Sequence, residues 1–143
     1  MKTIFIASDH AGFKLKKAII SKFSKKNKFN DLGCYNSIKS VNYPDYAHKV
    51  CSKVLKKKSN IGVLICGSGV GMSMSANKHK KIRAALCYSV KNSKLSRLHN
   101  NANILSLGAR FISNEKAINI IDIWLNESFE GGRHQKRIDK LDE

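Results

Sequence analysis

Short apolar runs alternate with amphipathic stretches along the chain. The first run, residues 2–7, precedes a lysine-rich stretch in which Leu15, Ile19 and Phe23 recur at helical spacing. An apolar run of this length predicts a buried strand, and apolar residues three or four positions apart predict a helix with one buried face. The chain therefore begins with a strand followed by a helix.

The same alternation continues to the C-terminus. The predicted strands are residues 2–7, 29–32, 61–65, 83–88 and 103–107. Pro44 fits the first turn of a helix that runs to about Lys57, because its missing N–H is not needed there. A short helix is predicted over residues 92–99, and a last helix over about 133–141. Strand–helix alternation with short connections predicts a parallel sheet with helices on both faces.

The predicted fold class is α/β, a Rossmann-like three-layer α/β/α sandwich with a five-stranded parallel sheet. We expect residues 1–143 to form a single domain, with the last helix packed at a subunit interface. The helix that follows Ser113 has a wide apolar arc, because Ile120, Ile123 and Trp124 add to its inward-facing positions. We interpret this surplus as a second covered face, such as a subunit contact.

The cysteines and the N-terminus bear on compartment and class of site. The four cysteines, at positions 34, 51, 66 and 87, include no C-x-x-C pair, which argues against a zinc site and a disulfide framework. The N-terminal apolar run is too short for a signal peptide, and no stretch is long enough to span a bilayer. We therefore expect a protein of the reducing cytosol.

The formal net charge of +17 raises the alternative of a basic nucleic-acid-binding protein. The densest lysine runs, at residues 25–26, 56–58 and 80–81, fall at predicted helix ends or in loops, and no nucleic-acid-binding motif accompanies them. We interpret the charge as a solvated lysine-rich surface, with nucleic-acid binding as the rival from a different class.

Chemically capable residues follow three of the predicted strands. Asp9 and His10 come after the first strand, Cys66 comes at the end of the third, and Arg110 follows the fifth. In open parallel sheets ligands bind at the carboxyl ends of the strands. These residues therefore predict a site at that edge.

Three glycines, at positions 67, 69 and 71, follow Cys66 and lead into a predicted helix. Their spacing matches neither the dinucleotide-binding pattern nor the P-loop. Converging backbone N–H groups suit a small anion or a developing oxyanion, and they also favour a cysteine thiolate. Cys66 is therefore a candidate reactive thiolate.

Other candidates are less specific. His10 and His99 lie where predicted elements end, whereas no histidine pair has metal-ligand spacing. Arg133 and Arg137 are four residues apart and share one face of the last helix, so they can grip a phosphate or can simply be solvated. We expect no metal and no cofactor.

Seven segments of the chain carry a family resemblance. They are residues 8–12 (SDHAG), 43–47 (YPDYA), 66–71 (CGSGVG), 76–78 (ANK), 96–103 (SRLHNNAN), 108–110 (GAR) and 129–137 (FEGGRHQKR). In these segments the chain resembles the sugar-phosphate isomerase family that includes the B-type ribose-5-phosphate isomerases and the galactose-6-phosphate isomerase subunits. Residues 72–76 contain no acid, so the chain is similar to the family branch that uses a cysteine base rather than a glutamate.

The resemblance implies metal-free aldose–ketose isomerisation through an enediolate, with ribose 5-phosphate and ribulose 5-phosphate as substrates. Galactose 6-phosphate or allose 6-phosphate remains the alternative. By resemblance, Cys66 is the base that moves a proton between C2 and C1, and His99 opens the sugar ring with Asp9 nearby. Ser68 and the loop amides stabilise the enediolate.

The resemblance also implies the binding residues and the assembly. His10, Arg110, Arg133 and Arg137 would hold the phosphate, and Asn100 a sugar hydroxyl. The full set of expected substrate-binding residues is Asp9, His10, Tyr43, Gly67, Ser68, Gly69, Val70, Gly71, Asn100, Arg110, Arg133 and Arg137. Family members form dimers or tetramers with sites at subunit boundaries, so a homodimer or homotetramer is expected; which residues come from the neighbour stays open.

Overall fold

The structure is a computed structural model that describes residues 1–143. Its five strands form one sheet in which every pairing is parallel. In chain order the strands are β1 (Lys2–Ser8), β2 (Asn27–Asp31), β3 (Ile61–Cys66), β4 (Ala84–Leu86) and β5 (Ile104–Gly108). Across the sheet the order is β2-β1-β3-β5-β4. The predicted five-stranded parallel sheet is confirmed.

Six helices connect and follow the strands. They are α1 (Phe13–Phe23), α2 (Tyr43–Val54), α3 (Val70–Ala76), α4 (Val90–Leu98), α5 (Asn114–Asn126) and α6 (Arg133–Ile138). Pro44 stands in the first turn of α2 as expected. Ser113 caps α5, because its hydroxyl accepts a hydrogen bond from the Lys116 N–H at 3.1 Å.

Two separate cores cover the two faces of the sheet, as the α/β/α prediction requires. Ile6, Val63 and Leu105 of the strands belong to the core that also holds buried residues of α1 and α5. Ala7 and Leu64, the next residues along their strands, belong to the core that holds residues of α2 and α3. Successive strand residues point to opposite faces, so both faces of these strands must be apolar.

Most element boundaries differ from those predicted by one to three residues, and three of these differences have a structural context. Strand β4 covers only residues 84–86, because it lies at the edge of the sheet and pairs with β5 alone. Helix α2 ends at Val54, before the Lys56–Lys58 run. Helix α6 ends at Ile138 rather than near residue 141, and Leu141 is exposed.

The interpretation of the wide apolar arc of α5 is corrected for two of its residues. Ile120 and Trp124 are buried in the core of their own chain. Helix α4 covers this part of α5, and the Ser93 hydroxyl donates a hydrogen bond to the Ile120 carbonyl at 2.9 Å. The surplus of apolar residues is therefore explained by packing within the chain.

An ion pair between the buried Lys16 and the partly exposed Asp31 fastens the loop after β2 to α1. The Lys16 side chain has no exposed surface, and its Nζ lies 2.7 Å from Asp31 Oδ1 and 2.5 Å from the Cys34 carbonyl oxygen. Asp31 Oδ1 also accepts a hydrogen bond from the Gly33 N–H at 2.9 Å. The same loop continues to residue 41, whose N–H donates to His10 Nδ1 at 3.3 Å. The ion pair thus helps to hold the loop that flanks His10.

We predict that Asp31→Ala lowers the free energy of unfolding by about 3 kcal/mol, because it leaves the buried Lys16 ammonium without its carboxylate. Urea unfolding measures the change. The matched control is Lys16→Met in the Asp31→Ala background, which removes the orphaned charge and should regain most of the loss. A double variant less stable than Asp31→Ala would contradict the assignment.

Candidate active site

Cys66 is the last residue of β3 and is 5% exposed. The Gly69 N–H donates a hydrogen bond to Cys66 Sγ at 3.1 Å. Gly69 has φ of 79°, and a Cβ at this position would lie 2.8 Å from the Leu107 carbonyl carbon, so a glycine is needed here. The turn after β3 therefore aims a backbone donor at the sulfur, an arrangement that suits a thiolate.

Side chains from neighbouring elements fix the glycine loop. The Ser106 hydroxyl of β5 donates to the Gly69 carbonyl at 2.7 Å, and the Tyr88 hydroxyl donates to the Ser68 carbonyl. The Val70 N–H donates to the Ser68 hydroxyl at 3.2 Å. The Tyr43 ring packs directly against Gly71, where a Cβ would lie 2.5 Å from it. The loop is thus held on several sides before any ligand arrives.

Asp9, His10 and Arg110 lie at the same edge of the sheet. Asp9 is 7% exposed, its N–H donates to the carbonyl of Ile65 at 3.1 Å, and its Oδ1 accepts from the Gly12 N–H at 3.0 Å. The Arg110 N–H donates to the Gly67 carbonyl at 2.9 Å, and its guanidinium covers Gly67. We call Asp9, His10, Cys66, Ser68 and Arg110 the carboxyl-edge cluster.

The remaining predicted residues lie at the opposite, amino edge of the sheet. His99 follows the last residue of α4, and a helix that returns from a parallel strand ends near the amino end of the next strand. Arg133 and Arg137 lie on α6, which is tied to the same region because the Glu130 N–H donates to the Leu98 carbonyl at 3.0 Å. We call His99, Asn100, Arg133 and Arg137 the amino-edge cluster.

The two clusters cannot meet within one chain. Strand β5 separates them, and four steps between its five residues span roughly 13 Å at about 3.3 Å per residue. The structure therefore brings Asp9 and Cys66 together at one edge but does not bring His99 to them.

Sequence reasoning missed a group beside His99. The Nε2 atoms of His99 and His134 each lie 3.9 Å from an oxygen of Glu130, and the two imidazole rings stack at 4.3 Å with an interplanar angle of 16°. His134 is 5% exposed and its Nε2 has no hydrogen-bond partner. Glu130 lies outside α6 and is joined to His134 through the Gly131–Gly132 turn, so their four-residue spacing is not a helical pattern that the sequence could have revealed.

The pKa of His134 lies below its ordinary value. Burial is the largest cause, and the neighbouring His99 and Arg133 lower it further, whereas Glu130 opposes the shift. The shift favours the neutral form of the His134 ring.

These three side chains are not arranged as a metal centre. Their ligand atoms lie within 4.8 Å of one another, whereas metal bonds of about 2.1 Å in a tetrahedral site bring ligand atoms to roughly 3.4 Å. Moreover, the lone pairs of nearly parallel rings lie in nearly parallel planes and do not converge on one point.

A cavity of about 770 Å³ lies between α6 and the amino edge of the sheet. Its walls include Ile61, Asn103, Trp124 and Ile138, and none of the predicted catalytic or substrate-binding residues. Cavity size alone therefore does not locate the site, and the identification depends on the chemistry of the two edge clusters.

Residues 4–141 match the family model described as Ribose/Galactose Isomerase. The chain belongs to this family. Membership makes the chain an isomerase, and it removes the nucleic-acid-binding protein as the primary assignment.

Similarity to individual members of the ribose/galactose isomerase family extends over the whole chain. A probable ribose-5-phosphate isomerase B of Mycoplasma genitalium is 50% identical over 141 residues, which cover 96% of this chain and 92% of the relative. A ribose 5-phosphate isomerase structure from Thermotoga maritima has a TM-score of 0.95 at 46% identity and covers 99% of this chain and 97% of that one. The Mycoplasma genitalium enzyme with bound ribulose-5-phosphate has a TM-score of 0.93 at 48% identity, over 97% and 93% of the two chains.

None of the helices in this family member has the length and apolar character that a membrane-spanning segment requires. Two of its other cysteines have shifted pKa values. Burial raises the pKa of the Cys51 thiol to about 12 and that of the Cys87 thiol to about 11, so both are almost entirely protonated at pH 8. Cys66 lies in the same apolar core as Cys51, but its sulfur accepts the Gly69 N–H.

We predict that iodoacetamide at pH 8 alkylates Cys66 at least about tenfold faster than Cys51 or Cys87, because the thiolate is the reactive form and burial suppresses it at the two core positions. Peptide mass spectrometry over a time course measures the three rates. Equal labelling of Cys66 and Cys87 in the folded protein would contradict this interpretation of the Gly69 contact.

Proposed function

We propose that the chain interconverts ribose 5-phosphate and ribulose 5-phosphate. The observation that carries the proposal is the Gly69 N–H···Sγ contact of Cys66 on a glycine loop, in a family member 48% identical to a protein whose structure contains ribulose-5-phosphate. A sulfur held beside backbone donors at the carboxyl edge of the sheet is suited to remove a carbon-bound proton.

In the proposed reaction Cys66 takes the proton from C2 of the open-chain aldose, and the C2–H electron pair forms the C1–C2 double bond of an enediolate. The charge on the former carbonyl oxygen is stabilised by the loop amides and the Ser68 hydroxyl. A proton then passes from O2 to O1 of the enediolate, and Cys66 returns its proton to C1 as the C2–O2 bond becomes the ketone carbonyl, so the ketose forms without an oxidant or a metal.

We further propose that the working site is shared between two copies of the chain. Within one chain, β5 separates Cys66 from His99, so a neighbour is needed to supply the ring-opening histidine to Cys66. We assign the carboxyl-edge cluster to one copy and the amino-edge cluster to its partner. The assembly is a homodimer or homotetramer of single-domain chains, with α6 at the subunit interface.

Charge supports this division. A sugar phosphate carries close to two negative charges, and each cluster supplies positive charge: Arg110 from one copy, with the His10 ring of the same cluster as a further polar group, and Arg133 with Arg137 from the other. Arg133 and Arg137 are both exposed on α6 and therefore free to face a neighbour. Bidentate arginines bind phosphate well, so the substrate itself helps to join the two halves of the site.

We place the reaction in the cytosol.

We predict that the purified protein converts ribose 5-phosphate in the presence of EDTA, and that Cys66→Ala lowers kcat by at least about 10²-fold, the scale of losing a general base. A coupled or NMR assay of ribulose 5-phosphate formation measures both. The matched control is Cys51→Ala, which removes a thiol from a core and should retain activity wherever it stays folded. Full activity of Cys66→Ala would contradict the assigned base.

The rival within the same chemistry is another phosphorylated aldose. Side-by-side kcat/KM values for ribose 5-phosphate, galactose 6-phosphate and allose 6-phosphate decide between them. A higher value for either hexose phosphate would replace the proposed substrate while leaving the role of Cys66 in place.

A further inference from the structure

We propose that Glu130 and His134 are positioning residues that set the orientation and tautomer of His99 for opening the sugar ring. The inference rests on the proposed function, in which His99 acts on the ring. It concerns two side chains to which the sequence assigned no role.

The backbone holds Glu130 in place beside the histidine. Its N–H bonds to the carbonyl of Leu98, the residue before His99. Gly131 and Gly132 follow with φ of 75° and 58°, and this turn leads directly into α6. Positive φ at two successive residues is a conformation that glycine adopts most readily. The turn thus brings His134 back onto His99.

The stack with His134 fixes the plane of the His99 ring. His134 is buried whereas the His99 side chain is 37% exposed. The buried His134 ring is therefore the fixed surface on which the more accessible His99 ring stacks. The lowered pKa of His134 favours the uncharged form of this ring. An uncharged His134 ring does not repel the His99 ring when His99 gains a proton.

The carboxylate of Glu130 selects which nitrogen of His99 faces the substrate. Both Nε2 atoms point toward Glu130, one toward each oxygen, at 3.9 Å. This distance is longer than a hydrogen bond, so the proposal requires the half-exposed Glu130 side chain to rotate toward His99. With the Nε2–H held by Glu130, Nδ1 is the nitrogen presented to the sugar. During ring opening the protonated His99 gives its Nδ1 proton to the ring oxygen O4 as the C1–O4 bond breaks. The O1 hydroxyl proton passes to water as the C1 carbonyl forms, and His99 is left as the Nε2–H tautomer.

Ribulose 5-phosphate separates ring chemistry from carbon-acid chemistry. Its O5 carries the phosphate, so it cannot close to a furanose and is bound in the open form. Exchange of its C1 proton with solvent deuterium needs only Cys66, whereas net formation of ribose 5-phosphate also passes through the ring step. Both rates can be measured in one NMR sample.

The test is Glu130→Ala in D₂O with ribulose 5-phosphate as substrate. We expect net conversion to fall at least about tenfold, a fraction of what a general acid contributes, while C1 deuteration falls less than about threefold, so that the exchange-to-conversion ratio rises. The control is Glu127→Ala, which removes a carboxylate three residues before Glu130. Glu127 Oε1 lies 3.8 Å from Lys94 Nζ. Its ratio should equal that of the wild type.

A second pair of variants tests the stack. His134→Phe keeps an aromatic ring beside His99, so its rate of net conversion should stay within about threefold of the wild-type rate. His134→Ala removes the ring, and its rate of net conversion should fall about tenfold or more. Equal losses in these two variants, or a parallel fall of exchange and conversion in Glu130→Ala, would overturn the positioning role. Failure of the proposed function is distinguishable, because the wild type would then show neither exchange nor conversion.

Discussion

The parallel arrangement of the sheet is the constraint on which the rest of the molecule depends. Every strand ends at one edge, so residues that follow strands gather there, and every helix that crosses back ends near the other edge. Asp9, Cys66 and Arg110 follow strands, whereas His99 follows a helix. The residues to which we assign acid–base roles therefore lie at two edges of the sheet, too far apart for a side-chain movement to join them.

At the carboxyl edge, the surroundings of the Cys66 sulfur differ from those of the Cys51 and Cys87 sulfurs. A cysteine in an apolar core is inert, as the raised pKa values of Cys51 and Cys87 illustrate. Cys66 is also mostly buried, but it stands where the strand stops and the Gly69 N–H reaches its sulfur. Ser106 and Tyr88 hold the loop from the neighbouring strand and the segment after β4, so the donor is fixed before substrate binds.

Much of the fold and part of the candidate site could be predicted from the sequence, but several features could not. Apolar periodicity predicted the five parallel strands and helices on both faces, and the glycine spacing drew attention to Cys66. The end of β4 could not be predicted, because pairing with a single neighbour rather than local pattern sets its length. Likewise the burial of Ile120 and Trp124 depends on which helix covers α5. The stack of His134 on His99 joins residues 35 positions apart through a glycine turn, and no local signal reveals such a contact.

The central claim, that each site takes one cluster from each of two copies, is tested most directly by subunit complementation. Cys66→Ala and His99→Ala chains, each inactive alone, are dissociated, mixed in equal amounts and reassociated. Random pairing makes half of the dimers mixed, and each mixed dimer then has one site with both residues intact, so about a quarter of wild-type activity should return. If activity stays at the level of the separate variants although mixed dimers form, each site lies within one chain and the account is wrong.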